Sequence, residues 1–94
     1  MSYDEVLLAV REQIDGVRMK SGLPRREIVP DASLIDDLGL DSLMFIDLSL
    51  AIEQRFTMSE FPLQAWADAE AVREEAPYTV ESLAAYVHGV LGGD

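Results

Sequence analysis

The sequence predicts an all-α fold, a four-helix bundle with one long loop between its first and second helices. Three observations lead there. Apolar side chains recur at helical spacing in several segments, alternating apolar and polar runs bounded by turns are scarce, and glycine and proline interrupt the spacing over one long stretch, residues 19–40. The 94 residues allow one core of modest size, so residues 1–94 are read as a single domain.

Val6, Val10, Ile14 and Val17 form the first apolar stripe, with Ser2 or Asp4 as cap, and predict helix one over residues 3–18, with Gly16 fraying its end. Gly22, Pro24, Pro30 and Gly39 then break the periodicity, and Leu23, Ile28, Leu34 and Leu38 are expected to tack this long connection to the core. Connections this long carry function more often than short ones do. Helix two is expected to be capped by Asp41 and to run to Arg55 or Phe56. A third helix is expected from Pro62, at its first position, to about Arg73. Thr79 caps a fourth over Val80 to Leu91, which Gly92 and Gly93 end.

Composition excludes several functions. Cysteine is absent, so the encoded chain has no disulfide and no thiol of its own. The net charge is -11, and it is unevenly placed: residues 1–30 carry five acids and five bases, whereas Asp31 onward carries thirteen acids against Arg55 and Arg73. Such a surface repels nucleic acid and anionic lipid and attracts proteins with basic patches. The N-terminal residues lack the basic and apolar runs of a secretory signal, and no apolar stretch approaches the length of a membrane span. A cytoplasmic monomer that does not insert into membranes is expected. His88 is the single histidine, no Gly-x-Ser-x-Gly elbow surrounds Ser42, and Leu38 and Leu40 stand where a calcium loop needs oxygen ligands. Neither a hydrolase triad nor a metal site is expected, and the chain is not read as an enzyme.

Helix two separates into two faces at 100 degrees per residue. Met44, Phe45, Leu48, Ala51, Ile52 and Phe56 make a core stripe. Ser42, Leu43, Ile46 and Leu50 lie on the other face beside Asp47, Glu53 and Gln54, an apolar strip rimmed by acids. That pattern suits a docking surface, because burial supplies affinity and charge supplies orientation.

The run Asp36-Asp37-Leu38-Gly39-Leu40-Asp41-Ser42-Leu43 resembles the acyl carrier protein signature, in which Gly-x-Asp-Ser-Leu opens helix two. Ala32-Ser33-Leu34, Ala51-Ile52-Glu53-Gln54-Arg55-Phe56 and Thr79-Val80-Glu81-Ser82-Leu83 follow in the family's order. The resemblance implies an acyl-carrier-protein-like bundle whose Ser42 receives a covalent 4'-phosphopantetheine arm from coenzyme A through a phosphopantetheinyl transferase. The arm's thiol then carries acyl groups as thioesters to acyl-transferring and chain-modifying enzymes of fatty acid, lipid or polyketide biosynthesis. On this reading Asp37, Asp41, Leu43, Ile46, Asp47, Leu50 and Glu53 form the partner-binding set. A serine opening a helix after a glycine-containing loop is sterically open, and a phosphodiester there meets the positive end of the helix dipole.

Two other readings use the same residues: an aminoacyl or peptidyl carrier, and an acidic interaction domain without a prosthetic group. Met44, Gln54 and Arg55 depart from the acidic residues that the family often places there. Phe61-Pro62-Leu63-Gln64-Ala65-Trp66 resembles the Pro-Leu-x-x-Trp segment of specialised carriers that handle very long acyl chains for lipid A. Trp66 reads either as a core anchor or as the wall of an acyl cavity. Phe45, Leu48, Ile52 and Phe56, beside Phe61, Leu63 and Trp66, are expected to leave an expandable seam for the chain.

Overall fold

The computed structural model describes residues 1–92 and contains four helices: α1 (Tyr3–Lys20), α2 (Ser42–Phe56), α3 (Leu63–Ala71) and α4 (Val80–Val90). This is the all-α bundle that periodicity predicts. Helix α1 packs against both α2 and α4. Val6, Val10, Ile14 and Val17 from α1, Met44, Leu48 and Ile52 from α2, and Val80, Leu83, Ala84 and Val87 from α4 fill the core between them. Gly93 falls outside the described residues, while Gly92, at φ 102, turns the chain after α4.

Helix α1 starts in a capping box. Ser2 Oγ accepts the Glu5 amide at 3.2 Å and Glu5 Oε1 accepts the Ser2 amide at 3.0 Å, so two first-turn donors are satisfied reciprocally. Gly16 does not fray the helix, which continues a turn further to Lys20. The reason lies at Arg18, whose side chain is buried and bonds Nε to the Leu38 carbonyl at 2.9 Å and an Nη to the Pro24 carbonyl at 3.0 Å. Those two bonds hold the last turn of α1 against the loop that follows.

That loop is ordered by its own polar bonds as well as by burial of Ile28, Leu34 and Leu38; Leu23 is half-buried against the core. An isolated antiparallel bridge joins Ser33 to Thr79, with the Leu34 amide on the Tyr78 carbonyl at 2.9 Å and the Val80 amide on the Ala32 carbonyl at 3.0 Å. The connection between α1 and α2 is thereby sewn to the start of α4.

Two helix ends differ from expectation. Pro62 sits at the cap of α3 rather than at its first helical position, because the Leu63 amide already bonds the Phe61 carbonyl in a tight turn at 2.8 Å. At its other end α3 stops at Ala71 instead of near Arg73, whose amide bonds the Glu70 carbonyl while its side chain folds back onto the Glu70 carboxylate. Helix α4 is capped by Thr79, which accepts the Ser82 amide at 3.2 Å, and closes at Val90 with Leu91 as its cap. His88 is half-buried and meets the Tyr3 ring edge-on at 6.1 Å.

The hydrogen bonds that the Glu5 carboxylate accepts from the Ser2 amide and, secondly, shares with the Ser2 side chain hold its pKa below the usual value. A carboxyl whose folded value lies below its unfolded value stabilises fully above the ordinary carboxylate range and loses that contribution as pH falls through the lowered value. Glu5→Gln keeps an acceptor that does not titrate. Its melting temperature is expected to fall less steeply than that of the unsubstituted chain between about pH 5 and pH 3. Parallel acid limbs for the two proteins, followed by circular dichroism, would contradict the assignment.

Candidate functional site

Leu40 and Met44 are both buried, and they bracket the three exposed residues Asp41, Ser42 and Leu43. Two local devices produce this projection. Gly39 adopts φ 73, a left-handed conformation that residues with a Cβ rarely take, and turns the chain back so that the Leu40 amide reaches the Leu34 carbonyl at 2.9 Å. Asp41 then caps α2, its carboxylate accepting the Met44 amide at 2.9 Å. Ser42 is thus the first residue of α2, held outward on a ledge fixed from both sides. Helix geometry leaves the first-turn amides of Ser42 and Leu43 without intrahelical partners, and the positive end of the helix dipole lies there.

A groove of about 570 Å³ starts beside Ser42 and runs between α2 and α3. Phe45, Ile46 and Leu50 form one wall, and Leu63, Ala67 and Tyr78 contribute to the other, with Ile35 and Phe61 also in its lining. The walls are predominantly apolar.

The residues singled out on α2 divide between this groove and the surface around it. Ser42, Ile46 and Leu50 share the groove, whereas Leu43 stands clear of it at 73% exposure, the most exposed of the strip. Ile46 and Leu50 remain 58% and 51% exposed, so an apolar strip on the outer face of α2 is present as the periodicity requires. Asp47 is half-buried and borders a shallow depression with Lys20 and Gln54 between α1 and α2, which turns it toward α1. Asp37 accepts the Ser33 amide at 2.7 Å, Asp41 caps α2, and Glu53 accepts the Phe61 amide at 2.9 Å. These three acids therefore shape the loops around the strip besides giving it charge.

Of the residues expected to form the seam, Phe45, Phe61 and Leu63 line the groove, whereas Leu48, Ile52, Phe56 and Trp66 do not. Leu48 and Ile52 are fully buried against the core, and the groove opens on the opposite side of Phe45. Trp66 is 3% exposed, donates its indole N–H to Ser82 Oγ at 3.3 Å and packs edge-on with Tyr78 at 6.0 Å. It anchors α3 to α4 one layer behind the groove, so of its two readings the core anchor holds. Sequence reasoning missed Ile35, Ala67 and Tyr78 as groove residues. Their signal was weak: Ile35 is an isolated apolar residue beside two acids, and Tyr78 owes its place to backbone geometry. Among the described residues no group of three or more metal-ligating side chains comes together.

An exposed hydroxyl at a helix N-terminus, first-turn amides without intrahelical partners beside it and an apolar groove leading away suit a carrier that presents a flexible cargo. The model of the family described as phosphopantetheine attachment site matches residues 17–74, more than half of the chain. The acyl carrier protein of Thermobifida fusca is 31% identical over 77 residues, 82% of this chain and 92% of that protein. The acyl carrier protein of Streptomyces coelicolor is 43% identical over 63 residues, 67% of each. The acyl carrier protein AcpXL of Rhizobium etli is 40% identical over 52 residues, 55% of each chain. No solved structure matches at comparable significance. The chain belongs to the acyl carrier protein family, whose members are carriers and not enzymes and bear a covalently attached 4'-phosphopantetheine. The residues present suit that group, since a phosphodiester gains from the open amides of α2 and an acyl-bearing arm finds an apolar groove alongside.

Because Arg18 fastens the loop that leads to this ledge, its loss is felt at the site. Arg18→Met leaves the carbonyls of Leu38 and Pro24 without donors and is expected to lower stability by about 2 kcal/mol, the scale for an unsatisfied buried polar group. Faster amide exchange is expected at Leu40, with exchange in α4 following only the global change. Uniform exchange across the chain would show that Arg18 does not tie this loop in particular.

Proposed function

We propose that Ser42 carries the phosphopantetheine arm and that the acyl chain borne on it turns back into the groove between α2 and α3. The observation that carries this reading is the continuity of the Ser42 ledge with that groove. When bound, the arm supplies the thiol that this cysteine-free chain lacks, and with it the thioester linkage. The chain's own residues do the rest. Gly39 and Asp41 hold Ser42 outward for a transferase. The first-turn amides of α2 favour the phosphodiester charge, and Phe45, Ile46, Leu50, Leu63 and Ala67 offer apolar contact worth roughly 0.8 kcal/mol for each methylene withdrawn from water. The resemblance of the Phe61 to Trp66 segment to carriers of very long chains favours a long acyl cargo in this reading.

In this proposal residues 1–94 work as one monomeric carrier domain in the cytoplasm, serving a phosphopantetheinyl transferase and chain-modifying enzymes of fatty acid, lipid or polyketide biosynthesis. Among the described residues no helix is long and apolar enough to cross a membrane. Basic patches on its partners meet Asp37, Asp41, Asp47 and Glu53, while Leu43, Ile46 and Leu50 supply the apolar contact.

Incubated with coenzyme A and a broad-specificity phosphopantetheinyl transferase, the chain is expected to gain the mass of one arm. Ser42→Ala is expected to gain none while keeping its helicity, because Asp41 still caps α2. An arm found on the Ala variant would move the attachment point elsewhere. Charge matters for the encounter: Asp47→Lys is expected to slow transferase association several-fold at low salt, with the difference shrinking as ionic strength rises and the Debye length falls to about 10 Å at 0.1 M. A salt-independent difference would contradict electrostatic steering.

A further inference from the structure

The short segment between α3 and α4 holds two residues in a conformation that their side chains disfavour. Ala76 has φ 44 and Tyr78 has φ 63, in the left-handed region where a Cβ crowds the backbone. Tyr78 is kept there from both sides of its own peptide units. Its amide donates to Glu70 Oε1 at 2.9 Å, and its carbonyl accepts the Leu34 amide at 2.9 Å.

Glu70 is itself gripped. It lies on α3 with 5% exposure, and one Nη of Arg73 reaches its two carboxylate oxygens at 3.2 and 3.1 Å. The same Nη donates to Ser82 Oγ at 3.3 Å, and that hydroxyl also accepts the Trp66 indole N–H. The ring of Trp66 then stands edge-on against the ring of Tyr78. A chain of polar bonds thus runs from α3 through α4 and ends on the backbone and ring of one residue in the groove wall.

The position of that residue along the groove follows from its bonds. Tyr78 is tied to Leu34, whose neighbour Ile35 lines the groove together with Ser42. Phe61 is tied to Glu53, about three turns along α2 from Ser42. Tyr78 therefore stands at the serine end, the mouth, and Phe61 toward the other end.

We propose that Tyr78 is the gate of the groove and that Glu70, steadied by Arg73, is the positioning residue that holds the gate closed over an entering chain. The proposal rests on the reading that Ser42 bears the acyl arm. It gives Tyr78 a role in cargo choice: a short acyl group does not reach past the ring, whereas a long one is covered by it and its thioester is shielded.

The test uses the full chain loaded with an acetyl or a dodecanoyl arm, with thioester cleavage by hydroxylamine followed by mass spectrometry. Tyr78→Ala is expected to speed cleavage of the dodecanoyl form about fivefold, the factor that loss of one modest packing contact makes in an open-to-closed ratio, and to leave the acetyl form unchanged. Tyr78→Gly, which accepts φ 63 without strain, is the companion variant and is expected to act the same way even where Tyr78→Ala folds poorly. Tyr78→Phe keeps the ring and is expected to match the unsubstituted chain. Glu70→Ala is expected to behave as Tyr78→Ala and to speed exchange of the Tyr78 amide in the chain without an arm, while Glu70→Gln, which retains an acceptor, restores much of the protection. Equal acceleration for both chain lengths, or none, overturns the gate. An unsubstituted chain that never loads overturns the Ser42 reading and the gate with it, a result distinct from loading followed by equal rates.

Discussion

The bonds from the buried Arg18 guanidinium to the carbonyls of Leu38 and Pro24 are the constraint on which the functional end of this molecule depends. Ile28, Ala32, Leu34, Leu38 and Leu40 bury part of the segment between α1 and α2, but a loop of such length loses considerable chain entropy when it is ordered, and these two bonds help offset that loss. With them, Leu38 is fixed, Gly39 turns, Leu40 enters the core and Asp41 arrives where α2 must begin. The bridge between Ser33 and Thr79 ties the same loop to α4, so the ledge at Ser42 is referenced to three helices. If Ser42 bears the arm, as proposed, such a ledge reconciles two opposed needs: the hydroxyl must be reachable by other proteins, and its position must be reproducible.

Helix α2 has to satisfy three neighbours at once. Met44, Leu48 and Ile52 face α1 and the core, Phe45 turns toward α3, and Leu43, Ile46 and Leu50 face solvent. Ile46 and Leu50 belong both to the groove and to the exposed strip, which has a physical consequence. A partner that buries them presses on one wall of the groove, so docking and the lodging of a chain share the same apolar surface. Two ligands that draw on one set of contacts are coupled in free energy, and the coupling is reciprocal. The acids around the strip are also doubly engaged, since Asp37, Asp41 and Glu53 accept backbone amides while giving the face its charge.

Much of this was legible in the sequence because it is local. Repeats near 3.6 residues and cap or breaker residues located four helices, and Asp41 and Thr79, with Ser2 or Asp4 as candidates at the first, announced three of their starts through oxygens that reach amides two or three residues on. The exposed place of Ser42 at the start of α2 was legible from its neighbours Gly39 and Asp41. What escaped is what depends on residues far apart in the chain. The sequence carries no signal for Arg18, on a helix whose end Gly16 was expected to fray, and only the carbonyls of Leu38 and Pro24, brought to it by folding, make it a buried tether. Nothing in the sequence separates Glu70 from the other acids, yet Arg73 and the Tyr78 amide draw it inward. Trp66 left two readings open in the sequence, because which side of Phe45 stays open depends on how α3 leans on α4 through Ser82, and no periodicity carries that information.

The central claim is that the chain carried by this protein lies between α2 and α3 and not within the core of the bundle. Loading the arm with a 13C-labelled dodecanoyl group and recording nuclear Overhauser contacts from its methylenes tests this directly. The expected result is contact with Ile46, Leu50, Leu63 and Ala67, and none with Leu48 or Ile52. Contacts to Leu48 and Ile52, or a chain that touches no side chain of the protein at all, would contradict it.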